Sequence, residues 1–162
     1  MRCRRIYASP IGEWELEADS EALLSVRPGC ADPSPVEEGE SAILDAAVAW
    51  LEDYFSGSPV TPESLPLKFS GSPFQQAIWR LLLRIPYGKF VTYGELAAVY
   101  ASEHGIPRMS AQAVGGAVGA NPLPIIVPCH RVLAAGGRLG GFSGGLRVKR
   151  RLLEHEHIDY RE

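Results

Sequence analysis

Alternation of polar and apolar residues marks the beginning of the chain, and helical periodicity marks most of the remainder. Residues 13–18 alternate strictly, which is typical of a half-buried strand. Apolar runs at 5–9 and 22–26 predict two more strands, and turn residues at 10–12 separate the first strand from the second. These strands are expected to form an antiparallel meander, which a proline- and glycine-rich loop at 27–40 follows.

Apolar residues three or four positions apart predict five helices in the rest of the chain. Residues that can cap a helix stand at the start of four of them. The predicted helices are 41–55, 73–85, 93–101, 110–120 and 146–155, with caps at Ser41, Ser72, Thr92 and Ser110. The predicted buried face of the first helix is Ile43, Ala46, Ala47, Trp50, Leu51 and Tyr54. An apolar run at 125–127 predicts a short buried strand, and the glycine-rich residues 132–145 predict a small hairpin or wing.

A proline-rich segment at 56–70 separates two predicted domains. Residues 1–68 are expected to form an α/β scaffold domain with a small antiparallel sheet and one helix. Residues 69–162 are expected to form a helical domain. Two of its short helices, joined by residues 102–108, are similar to a helix-turn-helix, although the connector is longer than the usual length of roughly 3–4 residues. The predicted fold class is therefore α+β, with a C-terminal winged helix-turn-helix-like domain that carries the active site.

Charge is distributed unevenly along the 162 residues, of which 46% are hydrophobic and 22% are charged. This composition is that of a globular protein, and the net charge of −3 alone argues against a polyanion-binding protein. The total conceals a net charge of −8 over residues 1–68 and of +5 over residues 69–162. Such asymmetry favours nucleic-acid contact by the basic part, unless two small domains simply differ by chance.

Targeting signals and a membrane span are not expected. No run of about 18 apolar residues occurs, and no apolar segment follows the arginines near the N-terminus. The three cysteines are Cys3, Cys30 and Cys129, an odd and sparse count that suits a reducing cytoplasm. Neither H-E-x-x-H nor C-x-x-C occurs, so no metal site is predicted.

Cysteine chemistry is indicated by the sequence Pro-Cys-His-Arg at 128–131. A thiolate is the nucleophilic form of cysteine, and the adjacent imidazole and guanidinium can stabilise it. The alternatives are a buried structural cysteine and a cysteine hydrolase, whose base is normally distant in sequence. Residues 141–145 fit the G-x-S-x-G pattern of a hydrolase, but too little chain follows for the remaining catalytic groups, which favours a tight loop.

A longer ordered set of motifs resembles one family, the O6-alkylguanine-DNA alkyltransferases. The matching segments are Ala-Val-Gly-Gly-Ala at 113–117, Asn-Pro at 121–122, Ile-Val-Pro-Cys-His-Arg-Val at 126–132, Phe-Ser-Gly-Gly-Leu at 142–146, Lys149 and Leu-Leu-Glu-His-Glu at 152–156. The resemblance covers roughly residues 70–157. It implies a single-turnover DNA repair enzyme that flips an O6-alkylguanine out of duplex DNA and takes the alkyl group on its own cysteine, without any cofactor.

The resemblance also implies roles for individual residues. Cys129 matches the acceptor, His130 the base that acts through a water molecule, and Glu156 the carboxylate that holds His130. Asn121 matches the residue that organises the turn around this network. Tyr93 matches the hydroxyl that bonds guanine N3, protonates the leaving base and lies where the phosphate must rotate.

Further positions match the substrate pocket. The backbone of Cys129 and Val132 is expected to accept hydrogen bonds from the exocyclic amine of guanine. The backbone of Ser143 is expected to donate toward O6, and Pro124 and Val118 are expected to form apolar walls.

The expected partner is double-stranded DNA that contains O6-alkylguanine, bound by a monomer in the cytoplasm, or in the nucleus of a eukaryote. Family members usually carry arginine before the Ala-Val-Gly-Gly run, where this chain has Gln112. Helix 110–120 has no Lys or Arg, so phosphate contact is expected from flanking residues. These are Arg108, Arg131, Arg138, Arg147 and Lys149.

Two other functions remain open at this point. One is a non-catalytic protein that binds alkylated bases and recruits repair factors; such relatives lack the acceptor cysteine, which is present here. The other is a transcription factor that uses Cys129 as a sensor. The uncharged helix at 110–120 is poorly suited to reading bases in the major groove.

Overall fold

The computed structural model describes residues 2–29, 40–142 and 145–162. The chain divides into two compact units, Met1–Ser70 and Gly71–Glu162. The division lies at the end of the proline-rich segment 56–70, which is the predicted linker. The predicted α+β class is confirmed, with a three-stranded antiparallel sheet and five helices.

The first unit is built on a meander of β1 (Cys3–Ser9), β2 (Gly12–Ala18) and β3 (Leu23–Pro28), in that order. The alternation in β2 places Trp14 and Leu16 on one buried face, but Glu15 and Glu17 on the other face are buried too, so the strand is not half-buried as predicted. β3 extends to Pro28, so the predicted loop begins later than residue 27. Residues 30–39, including Cys30, lie outside the described residues.

Helix α1 (Ala42–Phe55) packs against this sheet and begins at Ser41, whose hydroxyl accepts a hydrogen bond from Leu44 N at 3.2 Å. Its buried residues are Leu44, Ala47, Trp50, Leu51 and Tyr54. The predicted face was wrong at two positions, since Ala46 is exposed and Ile43 is only half-buried. Leu44 lies three and seven positions before two other buried residues, so it shares their face and the helix is rotated toward it.

The second unit contains α2 (Pro73–Leu82), α3 (Tyr93–Glu103), α4 (Ala111–Gly119) and α5 (Leu146–His155). The predicted caps are confirmed: Ser72, Thr92 and Ser110 each accept a hydrogen bond from the third backbone amide that follows. Helix α2 ends three residues earlier than predicted, because the amides of Arg84 and Ile85 bond to the third residue before them, which tightens the chain into turns. A hydrogen bond of 2.8 Å from Trp79 Nε1 to the Ala117 carbonyl joins α2 to α4.

The predicted strand at 125–127 is wrong. The residues are buried, but they form an irregular turn closed by a 2.8 Å hydrogen bond from Val127 N to Leu123 O. Ile125 adopts a φ of 75°, in the left-handed region that a β-branched side chain rarely occupies. A side chain, that of Asn121, supplies the polar partners that a strand ladder would otherwise provide.

The glycine-rich segment forms a wing whose edges are held by distant backbone. β5 (Val132–Leu133) pairs in parallel with β4 (Val91–Thr92), and Ala134 N donates to Arg138 O to close a tight loop. Two further hydrogen bonds tie this loop to the C-terminal residues: Leu139 N donates to Arg161 O at 2.7 Å, and Arg161 N donates to Gly137 O at 2.8 Å. No pattern in the sequence predicts this C-terminal ladder.

Candidate active site

A cavity of about 680 Å³ in the second unit brings together residues from three parts of the chain. Helix α3, helix α4 and the segment from Cys129 to Phe142 each contribute a wall. The lining includes Tyr93, Gln112, Gly115, Val118, Cys129, Ala134, Gly141 and Phe142. Four residues predicted from the sequence for one site, namely Tyr93, Gln112, Val118 and Cys129, therefore share one cavity.

Cys129 lies at the buried end of this lining, with 3% of its surface exposed. It begins a short 3₁₀ turn, Cys129–Arg131, that follows the irregular turn at 123–127. Burial raises the pKa of the Cys129 thiol to about 11, while the Asn121 side chain and the charge of Lys149 act in the opposite direction. The sulfur is therefore a neutral thiol at neutral pH, and it needs a base to become a nucleophile.

That base can be the neighbouring His130, which is fully buried. His130 Nε2 lies 2.5 Å from Glu156 Oε2. Burial lowers the pKa of His130, although the carboxylate of Glu156 opposes this effect. A neutral imidazole that donates from Nε2 carries its lone pair on Nδ1, which is the arrangement a proton acceptor requires.

Glu156 follows the last residue of α5 and is 3% exposed. Burial opposes ionisation of Glu156, but hydrogen bonds and charge attraction from His130 and Arg131 outweigh burial and hold its pKa at about 2. The side chain also accepts a hydrogen bond from Gly88 N at 3.0 Å. Glu156 is thus a permanently charged acceptor at any physiological pH.

Asn121 fixes the turn that precedes the cysteine. Its Nδ2 donates to Val127 O at 2.8 Å and its Oδ1 accepts from Leu123 N at 2.9 Å. The same side chain acts to lower the pKa of the Cys129 thiol. The bonds to Val127 O and Leu123 N hold Ile125 in its left-handed conformation, which costs roughly 1–3 kcal/mol for a residue of this kind.

Tyr93 is the first residue of α3 and projects into the cavity. Its hydroxyl donates to Gly141 O over 3.4 Å, a long hydrogen bond. Burial, and then the charge of the Cys129 thiolate, raise the pKa of Tyr93, so the hydroxyl remains a donor. Gly140 has a φ of 68°, in the left-handed region that favours glycine, and a Cβ there would meet the ring of Tyr93 at 3.4 Å, an ordinary contact distance.

The other predicted substrate contacts have different outcomes. Val118 lines the cavity, whereas Pro124 and Val132 are buried and are not among the residues of its lining. The Val132 carbonyl accepts a hydrogen bond from Lys149, and its second lone pair can still serve a guanine amine. Ser143 lies outside the described residues.

Two cations that the sequence assigns to DNA lie inside the protein instead. Arg131 is 5% exposed and bonds Glu156 and the Ile85 carbonyl, so its predicted contact with DNA is wrong. Lys149 is fully buried, and its Nζ donates to Val132 O at 2.8 Å and to Gly141 O at 3.0 Å.

Burial lowers the pKa of Lys149 to about 8. The burial of Lys149 could have been predicted from its position on α5. Lys149 shares a helical face with Leu152 and Leu153, which are also fully buried.

The remaining predicted DNA contacts are on the surface. Arg108, Arg138 and Arg147 are exposed, and Gln112 is exposed at the edge of the cavity. Within residues 2–29, 40–142 and 145–162, no group of three or more His, Cys, Asp or Glu side chains is placed to hold a metal ion. Among the helices of those residues, none has the length and apolarity needed to cross a membrane.

Comparisons with known proteins find relatives over most of the chain. A family model described as "6-O-methylguanine DNA methyltransferase, DNA binding domain" matches residues 73–158. A methylated-DNA–protein-cysteine methyltransferase of Haemophilus influenzae is 39% identical over 158 residues, which cover 95% of this chain and 86% of that protein. The protein of the same name from Mycobacterium bovis is 41% identical, with 94% and 90% covered.

Solved structures of relatives are similar over nearly the whole chain. The crystal structure of the Mycobacterium tuberculosis O6-methylguanine methyltransferase has a TM-score of 0.79 and 40% identity, and the match covers 96% of this chain and 93% of that one. The structure of the Mycobacterium tuberculosis OGT in complex with DNA has a TM-score of 0.80 and 40% identity, with 94% and 91% covered.

Proposed function

Because this chain belongs to the 6-O-methylguanine DNA methyltransferase family, we propose that it repairs duplex DNA by taking an alkyl group from O6 of guanine onto Cys129. The observation that carries this proposal is the cavity that has the Cys129 thiol in its lining, together with the buried His130–Glu156 pair, whose histidine is the next residue in the chain. A nucleophile, a base and a group that orients the base are the parts that such a transfer needs.

The reaction balances with the residues that are present. The sulfur of Cys129 forms a bond to the alkyl carbon while the bond from that carbon to guanine O6 breaks, and the electron pair of the broken bond stays on guanine. The thiol proton passes through water to His130, and the Tyr93 hydroxyl gives a proton to N3 of the leaving guanine. Return of the proton from His130 to Tyr93 through solvent leaves a thioether and an intact guanine.

Access to the cavity requires the damaged base to leave the duplex, since the thiol is buried. Extrusion costs a few kcal/mol, which contacts to the opposite base and the phosphates must offset. Gln112, exposed beside the cavity, can hydrogen-bond the orphaned cytosine, and Arg108 and Arg138 can contact phosphates. The absence of charge from α4 predicts modest, salt-sensitive binding.

The non-catalytic alternative is disfavoured, because a protein that only binds alkylated bases needs neither the thiol nor the relay behind it. We place the reaction in the compartment that holds the DNA, which is the cytoplasm of a bacterium or the nucleus of a eukaryote. The described cysteines, Cys3 and Cys129, are both free thiols, which fits a reducing compartment.

Intact-protein mass spectrometry tests the proposal directly. The protein is incubated with duplex DNA that carries O6-methylguanine, and a gain of one methylene, located at Cys129 by peptide mapping, is expected. Cys129→Ala should abolish the gain while it retains DNA binding, and Cys3→Ala is the matched control that should still gain mass. Tight binding without a gain of mass would instead support the non-catalytic protein.

A further inference from the structure

Arg131 is bonded on three sides within the second unit. Its Nε donates to Glu156 Oε1 at 2.8 Å, its Nη2 donates to Glu156 Oε2 at 3.2 Å, and its Nη1 donates to the Ile85 carbonyl at 2.6 Å. A planar guanidinium that grips both oxygens of a carboxylate fixes the rotation of that carboxylate as well as its charge.

The carboxylate of Glu156 is consequently surrounded by donors. Arg131 contacts both of its oxygens, Gly88 N contacts Oε1, and His130 contacts Oε2. The geometry therefore aims one defined oxygen, Oε2, at the imidazole.

Other charged and titratable groups surround this cluster. The ring of Tyr87 lies 5.7 Å from the Arg131 guanidinium and is close enough to Glu156 to interact electrostatically. Lys149 acts on both His130 and Cys129 from α5. Arg131 is the cation that hydrogen-bonds the carboxylate directly.

We propose that Arg131 is a positioning residue for alkyl transfer, which holds Glu156 as an ionised and correctly rotated acceptor for His130. The inference rests on the proposed function. It replaces the DNA contact that the sequence predicts for Arg131 with a role inside the relay.

The reason is the behaviour of a buried carboxyl group without a countercharge. Such a group tends to take up a proton, because burial disfavours the charged form. A protonated Glu156 could donate to His130 Nε2, which would move the imidazole proton to Nδ1. His130 would then have no lone pair available toward Cys129, and the thiol would keep its proton.

Three variants separate this role from a structural one. Arg131→Gln removes the charge, Arg131→Lys keeps the charge but not the two-pronged grip, and Arg84→Gln removes an exposed arginine that bonds both oxygens of Glu103 at 2.9 Å. The rate of methyl transfer at saturating duplex DNA and the dissociation constant for DNA are measured for each variant from pH 5 to pH 9.

Arg131→Gln should lower the transfer rate by about 10- to 100-fold, by analogy with the loss of an outer hydrogen-bond partner of a metal-ligating histidine. The deficit should shrink as pH rises, because the orphaned carboxyl of Glu156 ionises again. Arg131→Lys should recover part of the rate, the DNA affinity of both variants should remain unchanged, and Arg84→Gln should match the wild type.

Several results would overturn the inference. A wild-type rate in Arg131→Gln, a deficit that does not vary with pH, or a main effect on DNA affinity would each contradict it. Absence of transfer in the wild-type protein would instead refute the proposed function. If the Arg131 variants do not fold, NMR of the Arg131 Nε–H in the wild type decides: slow exchange with solvent, retained when DNA binds, supports the inference, and loss of that protection contradicts it.

Discussion

Among the carboxylates that pair with arginine, Glu17 and Glu156 differ in what surrounds the arginine. In the first unit, Glu17 pairs with Arg27 at 3.2 Å and with Arg2 at 3.6 Å, and these arginine side chains are 53% and 68% exposed. In the second unit, Glu156 pairs with Arg131 at 2.8 Å, and that arginine side chain is 6% exposed.

Both carboxylate side chains are nearly covered, at 8% and 0% exposure. We therefore expect the exposure of the cation to decide the role of the pair. Arginines open to water contribute little to stability, because solvent screens their attraction to the carboxylate. A cation that is itself desolvated fixes the protonation state of its partner.

Removal of the buried carboxylate should have the largest effect. Glu156→Gln should lower the transfer rate by about 100-fold or more, since His130 loses the acceptor that sets its tautomer. It should also destabilise the protein by about 3–5 kcal/mol, because Arg131 is left as an unpaired buried charge. Single-turnover kinetics and urea unfolding measure the two effects, and a change in either one alone would contradict a shared cause.

Acid should lower the free energy of unfolding, because it protonates Glu156. The pKa of Glu156 falls from about 4.5 to about 2 on folding, so its contribution is complete above pH 4.5 and disappears as pH falls toward 2. The expected loss is about 3 kcal/mol, at about 1.4 kcal/mol for each pH unit between the two values. Unfolding free energies measured from pH 6 to pH 2 should show this loss in the wild type, and the loss should be missing from Glu156→Gln.

A smaller effect is expected when a positive charge is added to the predicted DNA-binding helix, which has none. Gln112→Arg should raise the rate of transfer from duplex DNA by about 5-fold, since a charged donor is worth about 1 kcal/mol more than a neutral one. Transfer from free O6-methylguanine base is the control and should not change, because no orphaned cytosine is involved. An unchanged or lower rate on duplex DNA would show that Gln112 does not act on the opposite strand.

The smallest effect should come from the exposed pairs. Glu17→Gln should cost about 0–1 kcal/mol in unfolding free energy and should leave the transfer rate unchanged. Urea unfolding in low and high salt measures the loss of unfolding free energy, which should become smaller as salt increases. A loss comparable to that of Glu156→Gln would mean that exposure of the cation is not what separates the two sites.

Local patterns predicted much of the fold correctly. The alternation in β2, the hydroxyl caps of the helices and the periodicity of α5 each depend on residues close in sequence, so they can be read without knowledge of the tertiary structure. The strand predicted at 125–127 failed because the decisive hydrogen bonds come from the side chain of Asn121. Apolar composition alone does not reveal such bonds.

Only part of the candidate site could be predicted from the sequence. The adjacency of Cys129 and His130 is visible in the sequence. The burial of Arg131 is not, because charged residues are usually exposed, and the burial of Lys149 is indicated only by the helical face that it shares with Leu152 and Leu153. Their partners, such as the carbonyls of Ile85 and Gly141, are backbone groups that have no sequence signature. Charge counted along the chain therefore overestimates the positive surface that can face DNA.

The hydrogen bonds of the C-terminal ladder can form only after the last residues of the chain have been synthesised. Ala134 and Gly141 lie in the cavity lining, and the loop between them is fastened by the backbone of Arg161. Translation runs from the N-terminus to the C-terminus at about 5–20 residues per second. Cys129 is therefore synthesised before Arg161, the residue that fastens this loop. The nascent chain therefore carries its reactive thiol before the pocket is closed, and a premature stop shortly before residue 161 would leave the thiol in place without that fastening.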